Sequence, residues 1–540
     1  MLSKSVHVAT LLAALLLAGV ATAQELVAVK IAAINDFHGN LRPPAERLVA
    51  GNTGIAAGGM ARIATLVERL RARNPNFAFV SAGDLIGASP LISDFFDDEP
   101  VIEGMSLMGL DFNGVGNHEF DRGVTHLRRL QAGGCPPDGC KSGLAFAGAR
   151  FAMLAANVIV RSTGKPLWPA YGIRDYGSAK VAFIGVTLKA TPAIVAPQAV
   201  AGLEFRDEAD TVNGLVAELK SQGVAAIVVL LHQGGTTTGG YNDCAGLRGP
   251  IIDIAQRLDS AVDIIVSAHT HQAYICRLGG RLVTSAGSYG RIVTEIDLTI
   301  DAVRRKVAGA RAVNHVVSAD IPENAAQSRL VERYAKLAAP LERVVGRITM
   351  PISRSANADG ESTMGQLIAD AHLAATADAS ARIAFMNAGG IRAPLEFTGA
   401  GTVTFADLFA VYPFRNTLVT MSLTGAQILR LLEQQWLGTQ VGMLQVSRGF
   451  GYTWNPSLPP GGRVVQDSVV IAGERLQPDA AYRVTVNSFM AEGGDGLSVL
   501  REGRDRVAGA NARDALVRYL EQNSPLAPPN ERRVRKVGEQ

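Results

Sequence analysis

The 540-residue sequence lacks an excess of charge of either sign. Fifty-two Lys and Arg face 49 Asp and Glu, a formal net charge of +3, which is too small for this length to mark a nucleic-acid partner. Internal repeats and low-complexity stretches are absent, and charged residues are only 19% of the chain against 47% hydrophobic. That balance excludes intrinsic disorder and allows a full core. Beyond the N-terminal segment no apolar run reaches spanning length, and the C-terminal "NERRVRKVGEQ" is polar, so no membrane span is expected in the mature chain. Cysteine is scarce, at four residues.

What is present begins with a secretory pattern. Lys4 precedes the apolar run "VATLLAALLLAGVA", and Ala21-Thr22-Ala23 fits an A-x-A cleavage site. Residues 1–23 are therefore expected to be a signal peptide; no cysteine lies near the site to carry a lipid. The expected destination is the periplasm or the medium. An even cysteine count fits an oxidising compartment. Cys135 and Cys140 bracket the turn "CPPDGC", which closes locally and leaves Cys244 to pair with Cys276. The spacing matches no zinc-finger pattern.

In the first half, "LVAVKIAAI", "FAFVSA", "VAFIGV", "VAAIVVLL" and "VDIIVSA" read as buried strands. "GGMARIATLVERLRAR" reads as an amphipathic helix with Ile63, Leu66, Val67 and Leu70 on one face. This is an α/β pattern. After about residue 315, Leu330, Tyr334, Leu337 and Leu341 follow helical spacing, and Pro340 should end or kink that helix. A second α/β region is expected from 346, with a helix at "TMGQLIADAHLAATA" and strands at "RIAFMN" and "YRVTVN".

Five polar clusters each follow an apolar run: "NDFHGN" (Asp36, His38), "SAGDL" (Asp84), "GVGNHEFD" (Asn117, His118, Asp121), "LLHQGG" (His232) and "SAHTH" (His269, His271). Strand ends in an open α/β sheet converge on one edge, where sites form. Singly, each cluster has a structural reading, since a strand-end His is often hydrogen-bonded and a strand-end Asp often caps a helix. Jointly they hold five of the nine histidines in the chain, which structure alone does not account for. Carboxylates, an amide oxygen and several imidazoles together suit a pair of Zn- or Mn-type cations better than Mg.

In the second half, "FMNAGGIRAP" (Asn387, Arg392), "VYPFRNTL" (Phe414, Asn416) and "NSFMAEGGDGL" (Phe489, Asp495) stand out. Two phenyl rings can stack on a planar base, an Arg can fork a phosphate, and an Asp can accept from a ribose diol. On spacing alone, core rings, a solvated Arg and a Gly-rich turn explain the same residues better.

The ordered set D-x-H, G-D, G-N-H-E, a lone His and H-x-H resembles the calcineurin-like metallophosphoesterases. "NAGGIR", "PF-N" and "FMAEGGDG" resemble the C-terminal domain of the 5′-nucleotidase family, whose members include periplasmic UDP-sugar hydrolases. The resemblance spans about 28–525. It implies an αββα phosphoesterase sandwich over 27–317, a connecting helix and hinge over 318–345, and an α/β substrate domain over 346–530. It also implies two divalent cations of Zn, Mn or Co type. Asp36, His38 and His271 would hold one; Asn117, His232 and His269 would hold the other; Asp84 would bridge them. His118 and Asp121 would form the catalytic pair. Phe414 and Phe489 would sandwich the base, Asp495 bind ribose, Arg392 bind phosphate, and Asn387 and Asn416 read the nucleotide. The family places further arginines before the "TMG" helix, where Arg354 is the candidate. Ala268 and Arg448 stand where the family usually has Gly. The expected activity is 5′-phosphate removal from nucleotides, with UDP-sugars as a further implied class. The alternatives are a 2′,3′-cyclic-nucleotide phosphodiesterase/3′-nucleotidase and a non-catalytic nucleotide-binding exported protein.

Overall fold

The strand Leu26–Ile34 shows how the first half is layered. It runs parallel to Phe77–Ser81 on one side and antiparallel to Ile292–Asp301 on the other. Its side chains alternate: Val29, Ile31 and Ala33 enter one apolar layer, and Ala32 and Ile34 enter another. Ala78 and Val80 against Phe77 and Phe79 repeat that alternation, as the period of two in a strand requires. In the computed structural model, which describes residues 25–50, 53–136, 139–437 and 442–537, this strand lies inside a six-stranded sheet. The expected signal peptide, 1–23, lies outside the described residues.

A second six-stranded sheet faces the first. Its strands Lys180–Val186, Val224–Leu231 and Ile264–Ser267 are parallel. Ala226, Val228 and Leu230 meet the first sheet, while Ile227, Val229 and Leu231 meet the helices Glu208–Ser221 and Ile251–Arg257. The first sheet's outer face carries Met60–Arg71, Glu99–Met108, Gly123–Ala132 and Ala325–Ala338. The result is the four-layer αββα sandwich implied by the resemblance. Each strand read from the sequence in this half is present. A long hairpin, Ile292–Asp301 with Lys306–Val316, joins the first sheet's edge; its polar outer face hid it from a search for apolar runs.

The helix Ala325–Ala338 packs into the N-terminal core through Leu330 and Tyr334 and ends where Pro340 enters a short 3-10 turn. Val345, on the strand Val344–Arg347, already belongs to the core of the second half. That half has a five-stranded sheet with Ile383–Met386, Ala481–Asn487 and Thr417–Thr424 at its centre. The helices Thr363–Ala375 and Ala512–Asn523 contribute to the core on one face, and Gly425–Gln434 to the core on the other. Ser362 caps Thr363–Ala375 by accepting from Gly365 N. Both cysteine pairs are bonded as expected, Cys135 with Cys140 and Cys244 with Cys276. Among the described residues no helix is long and apolar enough to cross a membrane.

Candidate active site

The carboxyl ends of the parallel strands place the five clusters together. Asp36 and His38 follow Ile34, Asp84 follows Ser81, and Asn117 follows Gly114 on the first sheet. His232 follows Leu231, and His269 follows Ser267, on the second. Asp36, His38 and Asp84, and likewise His269 and His271, have positive φ, at 49°, 46°, 51°, 70° and 57°. Such a backbone costs of order 1–3 kcal/mol per residue and persists only where the surroundings over-determine it. Here they do. Asp36 accepts from Asn35 Nδ2 at 2.7 Å and from the His269 amide at 3.0 Å. The His118 amide donates to Asp84 Oδ1 at 2.9 Å. Ala268 is not among the positive-φ residues, so its methyl adds no backbone strain.

Three overlapping donor groups form. Asp36 with His38 and His271, His38 with Asp84 and His118, and Asp84 with His232 and His269 each bring their donor atoms within 4.8 Å of one another. The hydrogen-bond pattern fixes which ring nitrogens face inward. His38 Nδ1 donates to Gly87 O and His232 Nδ1 to Ala82 O, both at 2.8 Å, which turns each Nε2 inward as the nitrogen able to ligate. His232 Nε2 then lies 3.1 Å from Asn117 Oδ1 and 3.1 Å from Asp84 Oδ2. His38 Nε2 lies 3.1 Å from His271 Nε2. Carboxylate and amide oxygens and ring nitrogens converging at these distances are chemically suited to cations, one of which can take the place of the proton that Asp84 favours on His232.

The local field agrees. Burial pushes His38 and His271 well below the ordinary histidine value and His269 down to about 3. All three are neutral and able to ligate. Burial works against charge on His232 too, yet Asp84 and then Asp36 raise it to about 10; positive charge is favoured at that point. Burial pushes Asp36 up to about 7, while His232 and His118 hold Asp84 well below the carboxylate range against the same effect. His118 shares a donor group with His38 and Asp84 but differs from the other histidines of the site in having a carboxylate partner at Nδ1. Its Nδ1 donates to Asp121 Oδ2 at 2.8 Å. Burial lowers its pKa, but Asp121 and Asp84 more than reverse that. Gly87 lies against this pair at φ 80°; a Cβ there would stand 2.5 Å from His118 O and 2.9 Å from Asp121 Oδ2.

The C-terminal residues form the facing wall of one cavity of about 790 Å³, shared with Asn117, His118, Asp121, His269 and His271. Asn387, Arg392, Phe414, Asn416, Phe489, Asp495 and Arg354 all line it. The Phe414 ring stacks on His118, centroids 6.1 Å apart at 25°. The Phe489 ring lies against Gly494, where a Cβ would meet it at 2.3 Å. Asn387 donates to Asp495 Oδ2 at 2.7 Å, and Asn416 to the Tyr412 hydroxyl at 3.2 Å. Arg392 reaches Gly389 O at 3.5 Å and contributes to lowering the pKa of His38, His269 and His271. Arg354 faces Glu46 across the cleft at 3.3 Å, so this arginine is paired with a carboxylate. Arg448 is exposed and does not line the cavity.

Three contributors escaped the sequence reading. The buried Glu119 carboxylate accepts from the amides of Asp84, Leu85 and Gly116 at 3.0, 2.9 and 2.8 Å, clamping two of the strand-end loops together. Asn35 donates to Gly287 O and accepts from Ala286 N, joining the two sheets beside Asp36. Tyr289, at φ 61°, packs its ring 5.4 Å from His271. Glu119 and Asn35 lie within the quoted motifs, but the partners that tie them to other loops, Asp84 and Leu85 for one and Ala286 and Gly287 for the other, lie far away in sequence.

Comparison with known proteins matches this division. Residues 29–273 match the calcineurin-like phosphoesterase model, and 344–502 match the 5′-nucleotidase, C-terminal domain. The chain is 33% identical over 519 residues to Endonuclease YhcR of Bacillus subtilis, covering 95% of this chain and 41% of that protein. The chain therefore spans less than half the length of that relative. It is 27% identical to the 5′-nucleotidase of Vibrio cholerae, covering 87% of each. The crystal structure of a 5′-nucleotidase precursor from Thermus thermophilus superposes with a TM-score of 0.80 at 29% identity, covering 95% of this chain and 100% of that one. With both halves matched in order and the two-domain fold superposing along the whole of that structure, the chain belongs to the 5′-nucleotidase family, with an N-terminal calcineurin-like metallophosphoesterase domain.

Proposed function

We propose that this protein is an exported dimetal phosphohydrolase that removes the 5′-phosphate from nucleotides. The observation that carries the reading is the shared cavity, in which Phe414 lies 6.1 Å from the His118 ring. An aromatic platform and a phosphoester-cleaving wall then meet within the reach of one nucleotide. Asp36, His38 and His271 would hold one cation, and Asn117, His232 and His269 the other, with Asp84 shared. Two divalent cations held there would supply Lewis-acid charge and lower the pKa of an attacking water.

The chain's own residues do the rest. Asp121 fixes the His118 tautomer by accepting from Nδ1, so Nε2 is the edge that gives a proton to the departing 5′-oxygen. Arg392 neutralises phosphate charge as a planar fork. Phe414 and Phe489 take the base between them, and Asp495, oriented by Asn387, accepts from the ribose hydroxyls. Export is supported by the two disulfides, which belong to an oxidising compartment.

The test is phosphate release from 5′-AMP, 3′-AMP, UDP-glucose and 2′,3′-cyclic AMP by protein stripped of metal and reloaded with Mn or Zn. Release from 5′-AMP that depends on metal is expected. Release chiefly from the cyclic or 3′ substrates would overturn the base-site assignment, and no release from any would leave a binding protein.

A further inference from the structure

The two walls of the cavity belong to domains that the chain connects once, between the helix ending at Ala338 and the strand beginning at Val344. So short a link does not fix their orientation; contacts across the cleft must. Among the described residues, two sets of ion pairs cross it: Arg354 with Glu46, and Arg415 with Asp94 and Asp97. The second differs from the first in what stands beside it.

Asp94 and Asp97 lie at the end of, and just after, the short helix Leu91–Asp94, and both are buried. Arg122 pairs with both, and Arg122 follows Asp121, the partner of His118. Lys141 adds a second cation 3.1 Å from Asp97. From the other domain, Arg415 Nη2 reaches Asp97 Oδ1 at 3.4 Å and Asp94 Oδ2 at 3.6 Å. Arg415 follows Phe414, the ring stacked on His118. The acid pair is thus tied on one side to the residue after the catalytic dyad and on the other to the residue after the base platform. Burial would neutralise Asp97, but Arg122, Lys141 and Arg415 hold it below the usual carboxylate range, so the contact is between full charges.

We propose that Arg415, through Asp94 and Asp97, is a positioning residue that holds Phe414 over His118 and sets the closure of the two domains. The proposal rests on the roles given above to Phe414 and His118. Arg415 is 54% exposed, so the effect is modest: about 2- to 5-fold, the range for exposed ion pairs. It is also screened by salt, because the Debye length shrinks from ~8 Å at physiological ionic strength to ~3 Å at 1 M.

The test places spin labels on cysteines introduced at the exposed positions Lys165 and Arg475, one on each domain. All four native cysteines are disulfide-bonded, so labelling is specific. In the full chain, Arg415→Ala should broaden the interdomain distance distribution and lower kcat/KM for 5′-AMP by about 2- to 5-fold. Arg415→Lys should restore most of both, and 1 M NaCl should make wild type behave like Arg415→Ala. A distribution in Arg415→Ala that matches wild type at low and high salt overturns the proposal. A wild type inactive on 5′-AMP, whose distribution still broadens in Arg415→Ala, upholds the contact and overturns the substrate reading alone.

Discussion

The two walls of the cavity are built differently. On the N-terminal wall the inward-facing side chains are held from behind. Gly87 O fixes His38, Ala82 O fixes His232, and Asn35 with the His269 amide fixes Asp36. The backbone is strained at five of the donor residues. On the C-terminal wall Asn387 holds Asp495 at 2.7 Å, but two of the arginines that face the cleft are held lightly. Arg392 makes one long contact at 3.5 Å, and Arg415 is exposed. Bond-breaking chemistry demands donor atoms fixed in advance, whereas capture of a substrate tolerates residues that settle on arrival. The difference fits the proposal that chemistry belongs to one wall and selection to the other.

The sharpest way to break that comparison is at Asp84, which belongs to two of the three donor groups. Asp84→Ala, or chelation of the wild type, should abolish phosphate release. Retained turnover in metal-free protein would remove the N-terminal wall's assigned role. Next, His118→Ala should lower kcat by about 10²- to 10⁴-fold while bound metal, counted by atomic absorption, stays at the wild-type amount. A matching loss of metal would make His118 a ligand instead. Behind the donors, Glu119→Gln should weaken metal affinity by about 10- to 100-fold, read by competition with a chromophoric chelator. Unchanged affinity would mean that the loops hold themselves.

On the other wall, Phe489→Ala should raise KM for 5′-AMP by about 10-fold, in line with base–aromatic stacking, with kcat nearly unchanged. A drop in kcat alone would move Phe489 to the chemical side. The smallest effect concerns stability. His372 is fully buried in the C-terminal core, and burial lowers its pKa to about 3. Between that value and the ordinary 6.5, only the unfolded chain takes up the proton. Stability is therefore complete above about pH 6.5 and falls as the pH drops, by ~2 kcal/mol at pH 5. Urea unfolding at about pH 7.5 and pH 5 should show His372→Leu less acid-sensitive than wild type. Equal sensitivity would place the acid lability elsewhere.

Much of this was legible because burial imposes pattern. Strands covered on both faces are written as uninterrupted apolar runs, and the five donor clusters fall at their ends because a parallel sheet gathers those ends on one edge. The hairpin over 292–316 was not legible, since one half-exposed partner dilutes the apolar signal. The clamp formed by Glu119 was equally hidden. Its partners Asp84 and Leu85 are 35 and 34 residues away, and the motif does not say which loop the carboxylate reaches.

By itself, the sequence determined the α/β class, the order of the donor clusters, the cysteine pairing and the kind of chemistry such donors support. These follow from local composition and spacing. Only the tertiary structure decided that Phe414 stacks on His118, that Arg354 faces a carboxylate, and that Arg415 meets an acid pair from the other domain. Arg354 and Glu46 stand 308 positions apart, and Arg415 and Asp97 stand 318 apart. Contacts of that span are set by how two separate cores dock, which no local pattern encodes.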